Sequence, residues 1–145
     1  MTKEELLFKA INIATEAHRG QTDKYGAPYI GHVMRVVNYC RTLDEKIIGA
    51  LHDVVEDAPD WTFERLTAEG FGAYVYELDC LTKREGEDYD TFLSRTLQSE
   101  LAVRVKLCDL QDNMDLRRVN RALAEKDLKR MNKYLKAYRY LTEKY

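Results

Sequence analysis

The chain lacks the features that mark several broad protein classes. It has no excess of positive charge: 23 Lys and Arg stand against 25 Asp and Glu, a formal net charge of −2. A nucleic-acid binder working through bulk electrostatics is therefore not expected, although a local basic pocket for a phosphorylated small molecule is compatible with that balance. No apolar run approaches the roughly 20 residues needed to span a bilayer, so no membrane association is expected. Met1-Thr2-Lys3-Glu4-Glu5 is acidic and already helical in pattern, unlike a signal peptide. Three cysteines, Cys40, Cys80 and Cys108, form no Cys-x-x-Cys pair. Neither a disulfide framework nor a thiolate zinc site is supported, and the expectation is three small core residues in a reducing, cytoplasmic setting. Period-two alternation between turns is missing as well, and so are internal repeats, low-complexity segments and linkers.

What is present is a soluble globular balance, with 45% hydrophobic and 33% charged residues over 145 positions. That length allows one domain, 1–145, with a real core. Helical signals run throughout. Thr2 with Glu5 forms a capping box ahead of Leu6, Leu7, Ala10, Ile11, Ile13, Ala14 and Ala17. Gly20 suits a left-handed stop, and Pro28 opens a second helix carrying His32, Val33, Val36, Val37 and Cys40. Asp44 is expected to cap the third helix, and Thr62 to Leu66 a short one. Gly70 and Gly72 precede a helix from Ala73 to Leu81, with Val75, Leu78 and Leu81 inward. Asp88 to Leu97 and Ser99 to Met114 follow. A last amphipathic helix, from about 125 to 145, presents Leu128, Met131, Leu135, Tyr138 and Leu141. The fold class is all-α, a single helical bundle. Tyr134, Tyr138, Tyr140 and Tyr145 could pack a dimer or simply the core, which leaves the oligomeric state open.

The chemistry concentrates in Leu51-His52-Asp53-Val54-Val55-Glu56-Asp57. An apolar run there delivers four ionisable groups to a helix end, a costly placement unless something pairs with them. His52 and Glu56 are four apart, as are Asp53 and Asp57, so on one continuous helix each pair shares a side. The alternative is a polar helix end meeting solvent near Pro59. A second cluster, Val105 to Met114, places Asp109 after an apolar run with Asn113 one turn on, where Lys106 could instead hold the carboxylate. Asp112 is expected to face solvent or an arginine. His32, His52, Asp53 and Asp109 together make a mixed nitrogen and oxygen set, better suited to Mn2+, Fe2+ or Zn2+ than to Ca2+. A metal in such a set makes water easier to deprotonate.

In this order the segments resemble the HD phosphohydrolase superfamily, and more closely the hydrolase domain of RelA/SpoT proteins and the stand-alone small alarmone hydrolases. They are Ala17-His18-Arg19-Gly20-Gln21, Gly26 to His32, Leu51 to Asp57, Leu81-Thr82-Lys83 and Val105 to Met114. The resemblance covers about Leu6 to Met114. It implies an HD-domain bundle and a Mn2+-dependent removal of the 3′-pyrophosphate of (p)ppGpp. His32, His52, Asp53 and Asp109 would bind the metal, Glu56 would orient water or move protons with Asp57 in support, and Lys24, Lys83 and Asn113 would contact the nucleotide. Two positions depart from the family. Val33 follows His32 where proline is usual, and Asp23 stands where an arginine normally stacks on the guanine, a contact a carboxylate cannot supply. Asp23 therefore points to the alternative of another nucleotide or phosphorylated metabolite as substrate; a non-catalytic nucleotide-binding module is the third reading.

Overall fold

A computed structural model describes residues 1–144, so the expectation for Tyr145 lies outside the described residues. Among these residues the chain is helical throughout, with no strand beyond a bridge between Thr22 and Pro28. Helix α1 (Lys3–Ala17) begins with the capping box: the Thr2 side chain accepts from Glu5 N while the Glu5 carboxylate accepts from Thr2 N. Gly20, with φ 80°, turns the chain out of α1 in the left-handed region. Pro28 takes the capping position of α2 (Tyr29–Tyr39) rather than its first turn.

Helix α3 (Leu43–Leu51) is the centre of the fold, packed on α1, on α2 and on α8 (Glu100–Asn113). Ile47, Ile48, Gly49, Ala50 and Leu51 are all buried, the signature of a helix covered on every side. Gly49 is required by closeness: a Cβ there would lie 3.3 Å from Cys40 Sγ and 3.4 Å from Val36 Cγ1. The cap of α3 is Thr42, whose hydroxyl accepts from Glu45 N, and not Asp44. Asp44 lies two residues past the cap, inside the first turn; its carboxylate accepts instead from Tyr74 Oη at 2.7 Å and from Lys3 Nζ at 3.1 Å.

The expected continuity through His52 to Asp57 is broken. Helix α3 ends at Leu51, and a separate turn, α4 (Val54–Asp57), starts after Asp53, whose φ of −109° and ψ of −1° leave the helical path. Short helices α5 (Phe63–Leu66) and α6 (Val75–Cys80) flank a turn at Gly70, where φ is 106°. Around α6, Tyr74, Leu78, Cys80 and Leu81 face the core while Val75 is half-buried. Then come α7 (Tyr89–Thr96), capped by Asp88, and α8, capped by Ser99.

Helix α8 serves two apolar clusters. Ala102 and Val105 join the core under α1, α2, α3 and α6, whereas Val103 and Leu110 join Leu93 of α7 and Ala137 and Leu141 of α9 (Glu125–Lys144). The stripe expected on α9 is rotated. Leu141 is buried, but Leu128, Leu135 and Tyr138 are exposed, and Ala137 with half-buried Tyr134 and Tyr140 faces the bundle. Asp127, buried near the start of α9, pairs with both Arg121 and Arg130 and accepts from Ala124 N. A small Ala137 allows close approach where a leucine would hold the helices apart. Cys40 and Cys80 are buried and Cys108 half-buried. The Cys40 and Cys108 thiols share a hydrogen bond that pushes Cys40 up and pulls Cys108 down.

Candidate metal centre

Three separate elements bring four side chains together. His32 comes from α2, Asp109 from α8, and His52 and Asp53 from the break between α3 and α4. One ligand atom from each lies within 4.8 Å of all the others. The break explains how adjacent residues can both point inward, since on a continuous helix neighbours diverge by about 100°.

Hydrogen bonds behind the cluster set the rings. His52 Nδ1 is 2.6 Å from Gly49 O, and His32 Nδ1 is 2.7 Å from Asp112 Oδ2. Both Nδ1 atoms are thereby donors, which leaves each Nε2 for the centre. His32 Nε2 lies 3.0 Å from Asp109 Oδ1, and His52 Nε2 lies 2.9 Å from Asp53 Oδ2. Yet both Nε2 atoms are buried and neither makes a hydrogen bond of acceptable alignment. Two orphaned imidazole nitrogens facing two carboxylates form a donor set that fits a divalent transition metal.

The charges agree with that fit. Burial works against the His32 cation, but Asp109 and Asp112 outweigh it and push the ring up to about 9. Burial likewise opposes the Asp53 anion, and His52 overrides it, holding the carboxyl at about 2. Asp109 is kept low against burial by Lys106, His32 and His52. Without a metal, protons on the rings balance the two carboxylates; a cation and those protons compete for one place.

Glu56 and Asp57, after the break, are exposed as residues, but their carboxyl groups are partly covered. Burial of the carboxyl group and the charge of Asp53 raise Asp57 to about 6 and raise Glu56 in the same direction. Glu56 Oε1 accepts from Lys83 N at 3.2 Å, which ties the loop after α6 to the site. Lys24 and Asn113 line a cavity of about 350 Å3 beside His32, together with Tyr25, Arg35, Arg118, Arg130 and Tyr134. Lys83 does not line it. Asp23 does, but its Oδ1 is engaged by the amides of Tyr25 and Ala27, which closes the loop. A larger apolar cleft of about 600 Å3 lies between α7 and α9 and includes none of the four clustered residues.

Several residues take part in ways that the sequence reading did not assign them. Asp112 is buried, bound by Arg35 and Arg118 as expected of an arginine partner, but its main effect is to orient His32, and solvent does not reach it. Tyr29 Oη donates to Asp53 Oδ2 at 2.5 Å, and the buried His18 ring packs on Tyr29. Gln21 donates to Asp57 O. Tyr29 stands three residues before His32 on one helix face, a spacing that could have disclosed it. Lys106 does hold Asp109, at 2.9 Å, without removing it from the cluster.

No family model matches the chain. It is 34% identical over 126 residues to a guanosine-3′,5′-bis(diphosphate) 3′-pyrophosphohydrolase of Vibrio cholerae, covering 76% of this chain and 18% of the relative. It is 41% identical over 81 residues to a putative chloroplastic GTP diphosphokinase RSH1 of Arabidopsis thaliana, covering 52% and 9%. The chain thus spans less than a fifth of the length of these curated relatives. A solved structure, described as a metazoan ortholog of SpoT that hydrolyzes ppGpp, superposes with a TM-score of 0.75 at 20% identity, covering 94% of this chain and 84% of that one. At that identity the likeness concerns the all-α HD-domain fold.

Proposed function

The chain belongs to the HD-type hydrolases of the RelA/SpoT kind, and from that premise we propose that it removes the 3′-pyrophosphate of (p)ppGpp, giving GDP or GTP and pyrophosphate. The observation that carries the reading is the pair of orphaned Nε2 atoms of His32 and His52 facing Asp53 and Asp109. These four residues would hold the metal, with Mn2+ favoured and Fe2+ or Zn2+ as alternatives. A divalent ion supplies charge neutralisation and a lowered pKa for water. Asp112 and Gly49 O fix the tautomers of His32 and His52, and Tyr29 orients Asp53.

Glu56 is assigned the orienting of water and the movement of its proton, with Asp57 in support. Burial and the charges of Asp53 and Asp57 raise Glu56 toward the range where a carboxylate accepts a proton well. The backbone N–H of Lys83 holds one of its oxygens in place. Lys24 and Asn113 contact the nucleotide from the cavity beside His32, and Lys83 reaches phosphate from the opposite loop.

A second reading keeps the same metal chemistry on another nucleotide or phosphorylated metabolite; Asp23 on the cavity wall favours it. Product analysis with Mn2+ separates the two, comparing ppGpp with NADPH and ordinary nucleotides. Intact pyrophosphate and GDP from ppGpp support the first reading. No turnover of ppGpp, with phosphate released from another compound, overturns it. Tight nucleotide binding with no hydrolysis of anything would favour a binding module.

A further inference from the structure

Helix α9 carries two apolar stripes, and the bundle covers only one. Tyr134, Ala137 and Leu141 pack inward. Leu128, Met131, Leu135 and Tyr138 follow one another at spacings of three, four and three residues, about 100° around the helix from that face. This alternation is the seam pattern of paired helices in a coiled coil. Yet Leu128 is 50% exposed, Leu135 42% and Tyr138 36%, while Met131 is half-buried. Single surface leucines need no explanation, but a continuous exposed seam does.

The seam is complementary to itself when turned end for end. Leu128 lies as far before Lys133 as Tyr138 lies after it, and Met131 as far before as Leu135 after. Glu125, Asn132 and Arg139 recur every seven residues along one edge of the seam. Among the described residues neither Glu125 nor Arg139 makes an ion pair. In an antiparallel pair, Glu125 of one copy comes within about 3 Å along the axis of Arg139 of the other, twice by symmetry. A parallel pair would leave them about 21 Å apart and set Arg139 level with its own copy. Lys126, Lys129, Lys133 and Lys136 lie more than about 100° around the helix from the seam, so they do not face one another across it. We propose that α9 pairs antiparallel with α9 of a second copy, about a two-fold axis at the level of Lys133, burying Leu128 on Tyr138 and Met131 on Leu135. Met131 also lines the cavity beside His32, so the second copy meets one edge of the candidate site.

The test is sedimentation equilibrium of the full chain at rising concentration, with circular dichroism to confirm that each variant is folded. A seam of four residues a side is small, so a reversible dimer with a dissociation constant on the order of micromolar is expected. Leu135→Glu, at a position exposed in the single chain, should weaken association at least about tenfold. Phe8→Glu, at an exposed apolar residue of α1, should leave it unchanged. Glu125→Arg should weaken it about fivefold by setting like charges opposite each other at two places, and adding Arg139→Glu should restore it. A chain that stays monomeric at every concentration overturns the proposal. So does a dimer indifferent to Leu135→Glu, an equal loss in Phe8→Glu, or a double charge swap no better than the single one. A monomer that instead sediments with anionic phospholipid vesicles, and loses them in Leu135→Glu, gives the seam to a lipid surface and overturns it as well.

Discussion

Asp112 Oδ2 lies 2.7 Å from His32 Nδ1, while its other oxygen is held by Arg35 Nε at 2.7 Å and Arg118 Nη2 at 3.3 Å. Burial works against the Asp112 anion, but the hydrogen bonds and charges of His32 and Arg35 keep it ionised, and the ionised carboxylate fixes which nitrogen of His32 bears the proton. Asp112→Asn is expected to weaken metal binding by about 10- to 100-fold, the usual cost of losing such a partner. Manganese titration of the purified protein measures it. An unchanged affinity would mean that packing alone sets the ring.

His52→Ala and Asp53→Ala should abolish metal binding and activity together, because each removes one donor from a set of four. Glu56→Gln should keep the metal and lose most turnover. Asp57→Asn is the companion measurement, since Asp57 also sits near the cluster and is raised to about 6. Near-normal rates in Glu56→Gln with collapse in Asp57→Asn would move the proton-handling role to Asp57.

Asp23 closes its own loop through the amides of Tyr25 and Ala27, at 2.9 and 3.0 Å. Asp23→Ala should therefore raise KM and lower stability by about 1 kcal/mol, as loss of a capping side chain does. Asp23→Arg would restore the residue usual in the family but lose those bonds, so no gain in use of guanine nucleotides is expected. A clear gain in kcat/KM for ppGpp would show that the loop closes without the carboxylate.

Glu87 is held at about 2 by Arg95 and by the backbone N–H of Arg84. Its unfolded value is near 4.3, so its contribution to stability is complete above that pH and is lost as pH falls toward 2. Arg95 also donates to Thr82 O, which fastens the loop carrying Lys83. Glu87→Gln should lower the urea midpoint most at neutral pH, with the difference from wild type fading below about pH 4. A constant difference across that range would show that the pair does not titrate with folding.

Much of the candidate site was legible because metal chemistry demands unusual residues in apolar surroundings. His32, His52, Asp53 and Asp109 stand out in sequence for that reason, and the structure brings their ligand atoms together. The all-α fold was legible in the capping box at Thr2 and in the apolar spacing of α1, α3 and α8. What escaped depends on contacts across the fold. Asp112 is an ordinary helix residue until α2 and α8 dock, and Tyr29 until α2 meets the break at Asp53. The rotation of α9 is a tertiary choice between two available apolar stripes, made where Ala137 and Leu141 pack on Leu93, Val103 and Leu110. The break at His52–Asp53 was hidden because no glycine or proline marks it.

Along the chain, the clustered residues are far from neighbours: 20 residues separate His32 from His52 (52 − 32), and 56 separate Asp53 from Asp109 (109 − 53). A cation bound by His32, Asp53 and Asp109 at once would close two loops of the polypeptide. It then acts as a reversible cross-link, restricting the entropy of the open chain without a covalent bond. The centre that handles chemistry is in that sense also a clasp between the first helices of the bundle and α8.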